Sequence, residues 1–150
     1  MTKDELSCRT AFDWHQIEKD AHALGRKLQT KKLPFTWIVA VSRGGLTPAH
    51  IVAHVLGCVH VDTLCIESYD ANNNQDIAVI HKLPQEWVPA NQMLIIDDIV
   101  DSGKTVDVIK RLLPRCHFAC LYLKREHALV DTFAKTCFNA GWLQMPWERV

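Results

Sequence analysis

The sequence lacks the features that would place it in several broad classes of protein. Lys+Arg and Asp+Glu are equal at 17 each over 150 residues. Because proteins that coat nucleic acids or membranes depend on excess positive charge, no nucleic-acid partner is expected. No apolar run has the length of a membrane span, and residues 1–10 (MTKDELSCRT) lack the apolar core of a signal peptide. We therefore expect a cytoplasmic protein with no integral membrane segment, which leaves peripheral membrane association open.

Disulfide scaffolds, metal-binding cysteine pairs and repeat architectures also find no support in the sequence. The six cysteines show no CxxC spacing, and four of them stand in apolar, strand-like runs where a free thiol behaves as a small hydrophobe. We predict reduced core thiols at all six positions: Cys8, Cys58, Cys65, Cys116, Cys120 and Cys137. A hydrophobic fraction of 48% and a length of 150 residues suit a single domain, residues 1–150, with a full core.

One stretch, Met93–Thr105 (MLIIDDIVDSGKT), combines a buried strand with a charged loop. A short apolar run rich in branched residues, here 93–96, is typical of a strand buried on both faces. It leads into Asp97 and Asp98, a third acid at Asp101, and a small polar loop. A helix is predicted next from the spacing of the apolar residues 106–113. In open α/β sheets this point, beyond the carboxyl end of a strand, is where ligands bind.

A second strand–loop–helix unit covers residues 36–56. The run 36–41 (TWIVAV) predicts a strand, and Thr47 and Pro48 suggest the cap and first turn of a helix over 47–56, which Gly57 would end. The loop between them holds Arg43 and two glycines, which suits an anion bound by backbone N–H groups at a helix N-terminus. The same loop fits a tight turn with an exposed arginine equally well.

The remaining segments complete an α/β pattern. We predict a helix over 13–29 capped by Asp13, a hairpin of strands 59–69 and 77–80, a strand 116–123 that ends at Lys124, and an irregular aromatic tail over 136–150. Residues 125–135 fit either a loop or a helix. The polar loop 70–76 (DANNNQD) fits either an inert tip or an active-site lid. The predicted fold is a mostly parallel, doubly wound sheet.

The carboxyl edge of that sheet would gather two anion loops, three carboxylates and a lysine. Carboxylates beside phosphate loops suit ribose hydroxyls or hydrated Mg²⁺, which prefers few carboxylates together with phosphate oxygens. A sugar phosphate carrying a diphosphate is the expected ligand. An ATP- or GTP-binding P-loop is disfavoured, since its first glycine would fall at Asp98, whose carboxylate would repel phosphates.

Met93–Thr105 resembles the phosphoribosyl-diphosphate signature of type I phosphoribosyltransferases. Residues 40–57 resemble the pyrophosphate loop of that family, and residues 60–70 (HVDTLCIESYD) and 142–148 (WLQMPWE) are similar to its bacterial xanthine-guanine members. These blocks occur in the family's order over roughly 37–148. The resemblance implies the type I fold with residues 136–150 as a short hood over the base. It also implies Mg²⁺ dependence, transfer of phosphoribosyl to N9 of a 6-oxopurine (guanine, xanthine or hypoxanthine), and assembly as a dimer or tetramer.

The resemblance also implies roles for individual residues. The phosphoribosyl-diphosphate site would comprise Arg43, Gly44, Asp97, Asp98, Ile99, Val100, Asp101, Ser102, Gly103, Lys104 and Thr105. Asp97 and Asp98 would hold ribose hydroxyls, with Asp98 also the expected Mg²⁺ ligand, and a cis peptide is expected beside Arg43. Asp101 would be catalytic and share the proton of purine N7. Lys124 would donate to the 6-oxo group, Trp142 would stack on the base, and the backbone at Leu143 would read the 2-position.

Three departures from the family pattern qualify this assignment. Ser102 replaces the usual threonine of the phosphate loop, and Lys104 stands where related enzymes often have glycine. The basic lid residue that grips pyrophosphate is missing near Gln75. Two alternatives are considered: a non-catalytic phosphoribosyl-diphosphate sensor that controls nucleic acid, and a module that uses its tail for assembly. No segment is left for a DNA-binding domain, and the intact acidic motif disfavours the assembly module.

Overall fold

The computed structural model of the protein describes residues 11–69, 77–80 and 88–148. The polar loop 70–76, predicted as either an inert tip or an active-site lid, lies outside the described residues, and so do Cys8 and the missing cation near Gln75. The elements are α1 (Trp14–Thr30), β1 (Trp37–Ser42), α2 (Leu46–Leu56), β2 (Val61–Tyr69), β3 (Ile77–Ile80), β4 (Met93–Val100), α3 (Lys104–Leu112), β5 (His117–Leu123) and β6 (Thr132–Thr136). Short 3₁₀ turns cover Ala90–Gln92 and Pro146–Glu148.

The strands form one sheet in the order β3-β2-β1-β4-β5-β6. Five strands, β2, β1, β4, β5 and β6, run parallel to one another. The edge strand β3 pairs antiparallel with β2. The predicted mostly parallel α/β sheet is therefore confirmed, and so is the hairpin of β2 and β3.

Helices cover both faces of the sheet, as a doubly wound fold requires. Alternate residues of the central strands point to opposite faces: Ile38 and Leu94 pack in the cluster that contains α1 and α2. Val39 and Ile95 pack in a second cluster, together with Val106 of α3. Because both faces are buried, the central strands appear in the sequence as continuous apolar runs rather than alternating ones.

Strand β1 is the point where the strand order reverses. It pairs in parallel with β2 on one side and β4 on the other, so the chain winds away from it in both directions. The loops that follow β1 and β4 therefore leave the same edge of the sheet side by side. This is the topological switch point at which open α/β sheets bind their ligands.

Strand β4 is longer than the sequence predicted. The apolar run 93–96 was expected to lead into an acidic turn, but β4 runs to Val100 and carries Asp97 and Asp98 within it. The extension follows from pairing, because Asp97, Ile99 and Val100 are in register with β5. The loop of small and charged residues thus begins only at Asp101.

The ends of two helices test the predicted capping signals. Asp13 caps α1 as predicted, since its carboxylate accepts a hydrogen bond from the Gln16 N–H at 2.8 Å. The start of α2 was predicted wrongly, because the helix begins at Leu46 with Gly45 as its N-cap. The Gly45 carbonyl already accepts the first helical bond, from the Ala49 N–H at 3.0 Å. Gly57 ends α2 in the left-handed conformation, as expected.

The C-terminal third held two features that the sequence did not reveal. Strand β6 occupies part of the segment left open as loop or helix, and it pairs in parallel with β5. Cys137, buried just after β6, is disulfide-bonded, so the prediction of six reduced cysteines is wrong there. Spacing along the chain says nothing about cysteines that the fold brings together. Cys58, Cys65, Cys116 and Cys120 are free thiols as predicted.

No helix within the described ranges is long and apolar enough to span a bilayer.

Candidate active site

A cleft of about 1210 Å³ opens at the switch point of the sheet. Its walls come from the loop after β1, from β2, from the end of β4 and from the C-terminal tail. The lining residues are Ser42, Arg43, Gly44, Leu46, Thr47, Cys65, Ile66, Asp98, Trp142, Gln144, Trp147 and Glu148. The cleft is thus lined by residues of the blocks 40–57 and 93–105, which imply phosphoribosyl-diphosphate binding, and of the tail block 142–148.

The loop after β1 brings its backbone close to an acid of β4. The peptide bond between Ser42 and Arg43 is cis, as expected from the family resemblance. A Cβ added to Gly44 would collide with the carboxylate of Asp98, so only glycine permits this approach of loop to acid. The Arg43 side chain is exposed on the same wall. This wall of the cleft thus combines the Arg43 side chain, the closely approaching backbone of Gly44 and the Asp98 carboxylate.

The two adjacent acids of β4 have different surroundings. Asp97 is only 9% exposed, and its carboxylate accepts the Asp98 N–H at 2.9 Å. Burial, with the nearby Asp98 charge as a smaller cause, raises the pKa of Asp97 well above its usual value. Asp98 accepts the Ile99 N–H at 2.7 Å and lines the cleft. Burial also raises the pKa of Asp98, and the carboxylate of Glu148 adds to that effect.

The loop after β4 leads directly into the N-terminus of α3. Gly103 is the N-cap, in the left-handed conformation at φ 81°, and its carbonyl accepts the Asp107 N–H at 2.9 Å. Gly103 is buried, whereas Asp101, Ser102 and Lys104 are exposed. Helix-terminal N–H groups and the helix dipole favour an anion at such a point. The geometry therefore suits the phosphate-binding role implied for this loop.

Asp101 and Lys124 stand at the ends of the adjacent strands β4 and β5. The Lys124 ammonium donates to a carboxylate oxygen of Asp101 at 2.9 Å, and the Lys124 N–H donates to the Val100 carbonyl at 2.9 Å. Arg125 places its Nε 3.5 Å from the other carboxylate oxygen of Asp101. The acid predicted to be catalytic and the lysine predicted to bind the base are therefore direct neighbours.

The tail contributes both to the core and to the cleft. Trp142 is 77% exposed at the cleft, whereas the side chain of Leu143 is buried. The Gln144 carbonyl accepts the Phe12 N–H at 3.0 Å, and Glu148 accepts the Met145 N–H at 3.0 Å. These contacts hold the tail against the fold, so that its exposed tryptophan stands at one wall of the cleft.

The structure thus divides the predicted site residues into groups. Arg43, Gly44, Asp98 and Trp142 share the cleft, and Asp101 and Lys124 form a pair beyond the end of β4. The side chains of Asp97 and Leu143 are buried. Sequence reasoning gave no site role to the other eight lining residues: Ser42, Leu46, Thr47, Cys65, Ile66, Gln144, Trp147 and Glu148. The last three belong to the WLQMPWE block, where only the first two residues had been given roles. Cys65 and Ile66 belong to the HVDTLCIESYD block, for which no individual roles had been predicted.

The described residues contain no group of three or more His, Cys, Asp or Glu side chains arranged to hold a metal ion. Within these ranges a cation could instead be held by few carboxylates together with ligand oxygens. Asp98 and Glu148, which line the same cleft, are the acids in a position to do so.

A family model described as "Phosphoribosyl transferase domain" matches residues 11–148. The chain belongs to the phosphoribosyl transferase family. It is 39% identical over 150 residues to a xanthine-guanine phosphoribosyltransferase of Desulfotalea psychrophila, a match that covers 97% of this chain and 89% of the relative.

Solved structures of the phosphoribosyl transferase family share the fold. A purine phosphoribosyltransferase of Pyrococcus horikoshii superimposes with a TM-score of 0.76 at 27% identity, over 93% of this chain and 94% of the other. A xanthine-guanine-hypoxanthine phosphoribosyltransferase of Helicobacter pylori gives a TM-score of 0.77 at 24% identity, over 92% of each chain. The two proteins share the architecture of this chain over nearly its whole length.

Proposed function

We propose that this phosphoribosyl transferase is a purine salvage enzyme. It transfers the 5-phosphoribosyl group of phosphoribosyl diphosphate to N9 of a 6-oxopurine and releases pyrophosphate. The observation that carries the proposal is the cleft itself, in which the Arg43–Gly44 loop, Asp98 and Trp142 face one space at the switch point. The 39% identity to a xanthine-guanine phosphoribosyltransferase favours guanine and xanthine, with hypoxanthine as a further substrate.

The two loops at the sheet edge suit the two ends of phosphoribosyl diphosphate. The loop Asp101–Thr105, at the N-terminus of α3, would hold the 5′-phosphate through backbone N–H groups and hydroxyls. Arg43 and Gly44 would hold the diphosphate. Asp98 lies in β4, against Gly44 of one loop and three residues before Asp101, where the other loop begins. Its carboxylate is therefore placed to accept hydrogen bonds from ribose hydroxyls.

In the reaction, N9 of the purine forms a bond to C1 of the ribose while the bond from C1 to the diphosphate oxygen breaks. Positive charge develops on the ribose and negative charge on the departing pyrophosphate. Carboxylates near the sugar and the guanidinium of Arg43 near the diphosphate stabilise these charges. Asp101 takes or shares the proton on purine N7, so that the ring does not retain positive charge when N9 is alkylated.

Base selection would rest on groups at the ends of β5 and in the tail. The Lys124 ammonium, now 2.9 Å from Asp101, would donate to the 6-oxo group, which adenine lacks. Trp142, exposed at the cleft, would stack on the flat ring. Because the side chain of Leu143 is buried, its backbone is the part that would meet the 2-position of the base.

We also propose that the enzyme uses Mg²⁺. Burial, with a smaller contribution from the Glu148 carboxylate, raises the pKa of Asp98, and a divalent cation bound there would favour the ionised form of the carboxylate. Asp98 would hold the ion, with Glu148 beside it, and the remaining ligands would be water and diphosphate oxygens. The ion's chemistry there is charge neutralisation of the diphosphate.

The test is incubation of the protein with phosphoribosyl diphosphate, Mg²⁺ and, separately, guanine, xanthine, hypoxanthine and adenine. We expect nucleoside monophosphates from the oxopurines and little or none from adenine, with chromatographic detection of nucleotide and pyrophosphate. No nucleotide from any base would overturn the proposal. Binding of phosphoribosyl diphosphate without turnover would replace it with the non-catalytic sensor. Cytoplasmic location and assembly as a dimer or tetramer remain predictions from the sequence.

A further inference from the structure

Segment 124–130, which follows β5, meets the Asp101–Thr105 loop at two separate points. At its first residue, Lys124 is paired with Asp101. Three residues later, the side chain of His127 lies against Gly103 of the same loop. Neither the sequence pattern nor the proposed reaction gives His127 a role, since residues 125–135 are only a mixed polar run.

The imidazole ring of His127 packs on Gly103, the buried residue of an otherwise exposed loop. A Cβ added to Gly103 would collide with Cδ2 and Nε2 of His127. Gly103 is also the N-cap of α3 in the left-handed conformation. The ring therefore covers the backbone position at which the loop turns into the helix.

Each nitrogen of the ring has a polar neighbour. Nδ1 accepts the Leu129 N–H at 3.3 Å, and Nε2 lies 3.3 Å from a carboxylate oxygen of Asp107. Because an amide can only donate, Nδ1 must keep its lone pair, which leaves the Nε2 proton for Asp107. Asp107 is in the first turn of α3, where its own N–H donates to the Gly103 carbonyl. With its side chain 18% exposed, His127 is held between its own segment and the start of α3.

We propose that His127 is a positioning residue for the 5′-phosphate of phosphoribosyl diphosphate. Its ring packs on Gly103 and its Nε2 lies beside the Asp107 carboxylate. These two contacts hold the backbone N–H groups at the start of α3 in the orientation that binds phosphate. Lys124 holds the first residue of the loop, Asp101, and His127 supports the point where the loop joins α3. Binding sites lose affinity when such support shifts by about 1 Å. This inference rests on the proposed function only in taking Asp101–Thr105 as the phosphate loop.

The test compares His127→Ala with the wild-type protein in two measurements. Calorimetry gives the Kd of ribose 5-phosphate, which carries the phosphate without the reacting diphosphate, and steady-state kinetics give KM and kcat. We expect His127→Ala to raise the Kd of ribose 5-phosphate and the KM of phosphoribosyl diphosphate by about tenfold, with the KM of the purine and kcat changed less than about threefold.

Two further variants separate positioning from general stability. His127→Gln keeps a side-chain amide able to donate to Asp107 and accept from Leu129, and it should restore most of the lost affinity. His22→Ala removes a histidine of α1 whose Nδ1 bonds to the Glu18 carbonyl of the same helix, and it should leave both constants unchanged. A His127→Ala variant with wild-type Kd and KM overturns the proposal. So does one that loses thermal stability and kcat while KM stays constant.

Failure of the proposed function would look different. Wild-type protein that binds ribose 5-phosphate but forms no nucleotide overturns the transferase reaction. The His127 proposal is then judged by binding alone, where the tenfold loss supports it and an unchanged Kd refutes it. Wild-type protein that neither binds ribose 5-phosphate nor forms nucleotide overturns both.

Discussion

The ammonium of Lys124 lies 2.9 Å from a carboxylate oxygen of Asp101. The lysine side chain is 14% exposed and the aspartate side chain 51% exposed. The lysine of this ion pair is therefore largely buried, whereas the aspartate is open to solvent. In the proposed reaction the 6-oxo group of the base would meet Lys124 and its N7 would meet Asp101. The ion pair would then hold both groups in place before the base binds.

Asp101→Asn should lower kcat by about two to four orders of magnitude, because a positioned general base contributes this much and an amide cannot accept the proton. The free energy of unfolding should change by less than about 0.5 kcal/mol, since the side chain is exposed. Steady-state kinetics and urea unfolding measure the two quantities. Unchanged turnover would refute the assigned role.

Gly44→Ala should weaken binding of phosphoribosyl diphosphate, because the new Cβ would collide with the Asp98 carboxylate and force loop and acid apart. We expect KM to rise by about tenfold or more. Gly141→Ala is the matched control, since a Cβ there meets nothing within 4 Å. Equal effects of the two substitutions would show that the Gly44–Asp98 contact is irrelevant to binding.

Trp142→Ala should raise the KM of the oxopurine by tenfold or more, because stacking of a base on an aromatic ring is worth about 1–3 kcal/mol. The exposed position at the cleft means that stability should hardly change. Trp142→Phe keeps an aromatic face and should recover most of the affinity. If Phe and Ala behave alike in kinetics with each purine, stacking is not the role of this residue.

Tyr122→Phe should destabilise the fold by about 1–3 kcal/mol, since it removes a donor from a buried carboxylate. The Tyr122 hydroxyl donates to Asp20 at 2.7 Å, and Lys135 lies 2.9 Å from the other oxygen of that carboxylate. Urea unfolding measures the loss, with Lys19→Met on the exposed face of α1 as a control near zero. Turnover of the folded variant should equal that of the wild type; a stable variant with lost turnover would contradict a purely structural role.

The stability of the protein should fall on mild acidification through His117. Burial lowers the pKa of His117 from its usual value of 6.5, and Lys31 and Lys110 add to this while Asp131 opposes it. Its Nε2 lies 2.7 Å from the Thr132 hydroxyl. As pH falls below about 6.5 the unfolded chain binds a proton that the folded chain resists, so stability drops until the folded pKa is reached.

The corresponding measurement is urea unfolding between about pH 7.5 and about pH 5.5. His117→Asn should lower stability at both values yet show a smaller difference between them than the wild type. His15→Asn, on the exposed side of α1, should keep the wild-type difference. A His117→Asn variant with the full wild-type pH dependence would rule out this histidine as the cause.

Local patterns in the sequence determined much of the architecture. Asp13 predicted the start of α1 and Gly57 the end of α2, because capping depends on neighbours within a few residues. Apolar runs predicted the central strands, and the glycines and charges of the loops after β1 and β4 made these loops candidate anion sites, with a simple tight turn as the alternative for the first. Family resemblance supplied the roles of Asp101, Lys124 and Trp142, which local chemistry alone left open.

Only the tertiary structure decided which of these residues meet. The extension of β4 through Asp97 and Asp98 depends on pairing with β5, and the different burial of the two acids depends on what packs over each. The missed strand β6 and the position of His127 on Gly103 each depend on contacts between segments that are not adjacent in the sequence. Such contacts are selected by the packing of the whole fold rather than by local preference. The sequence by itself thus determined which groups the site could use, and the sheet determined their distances and burial.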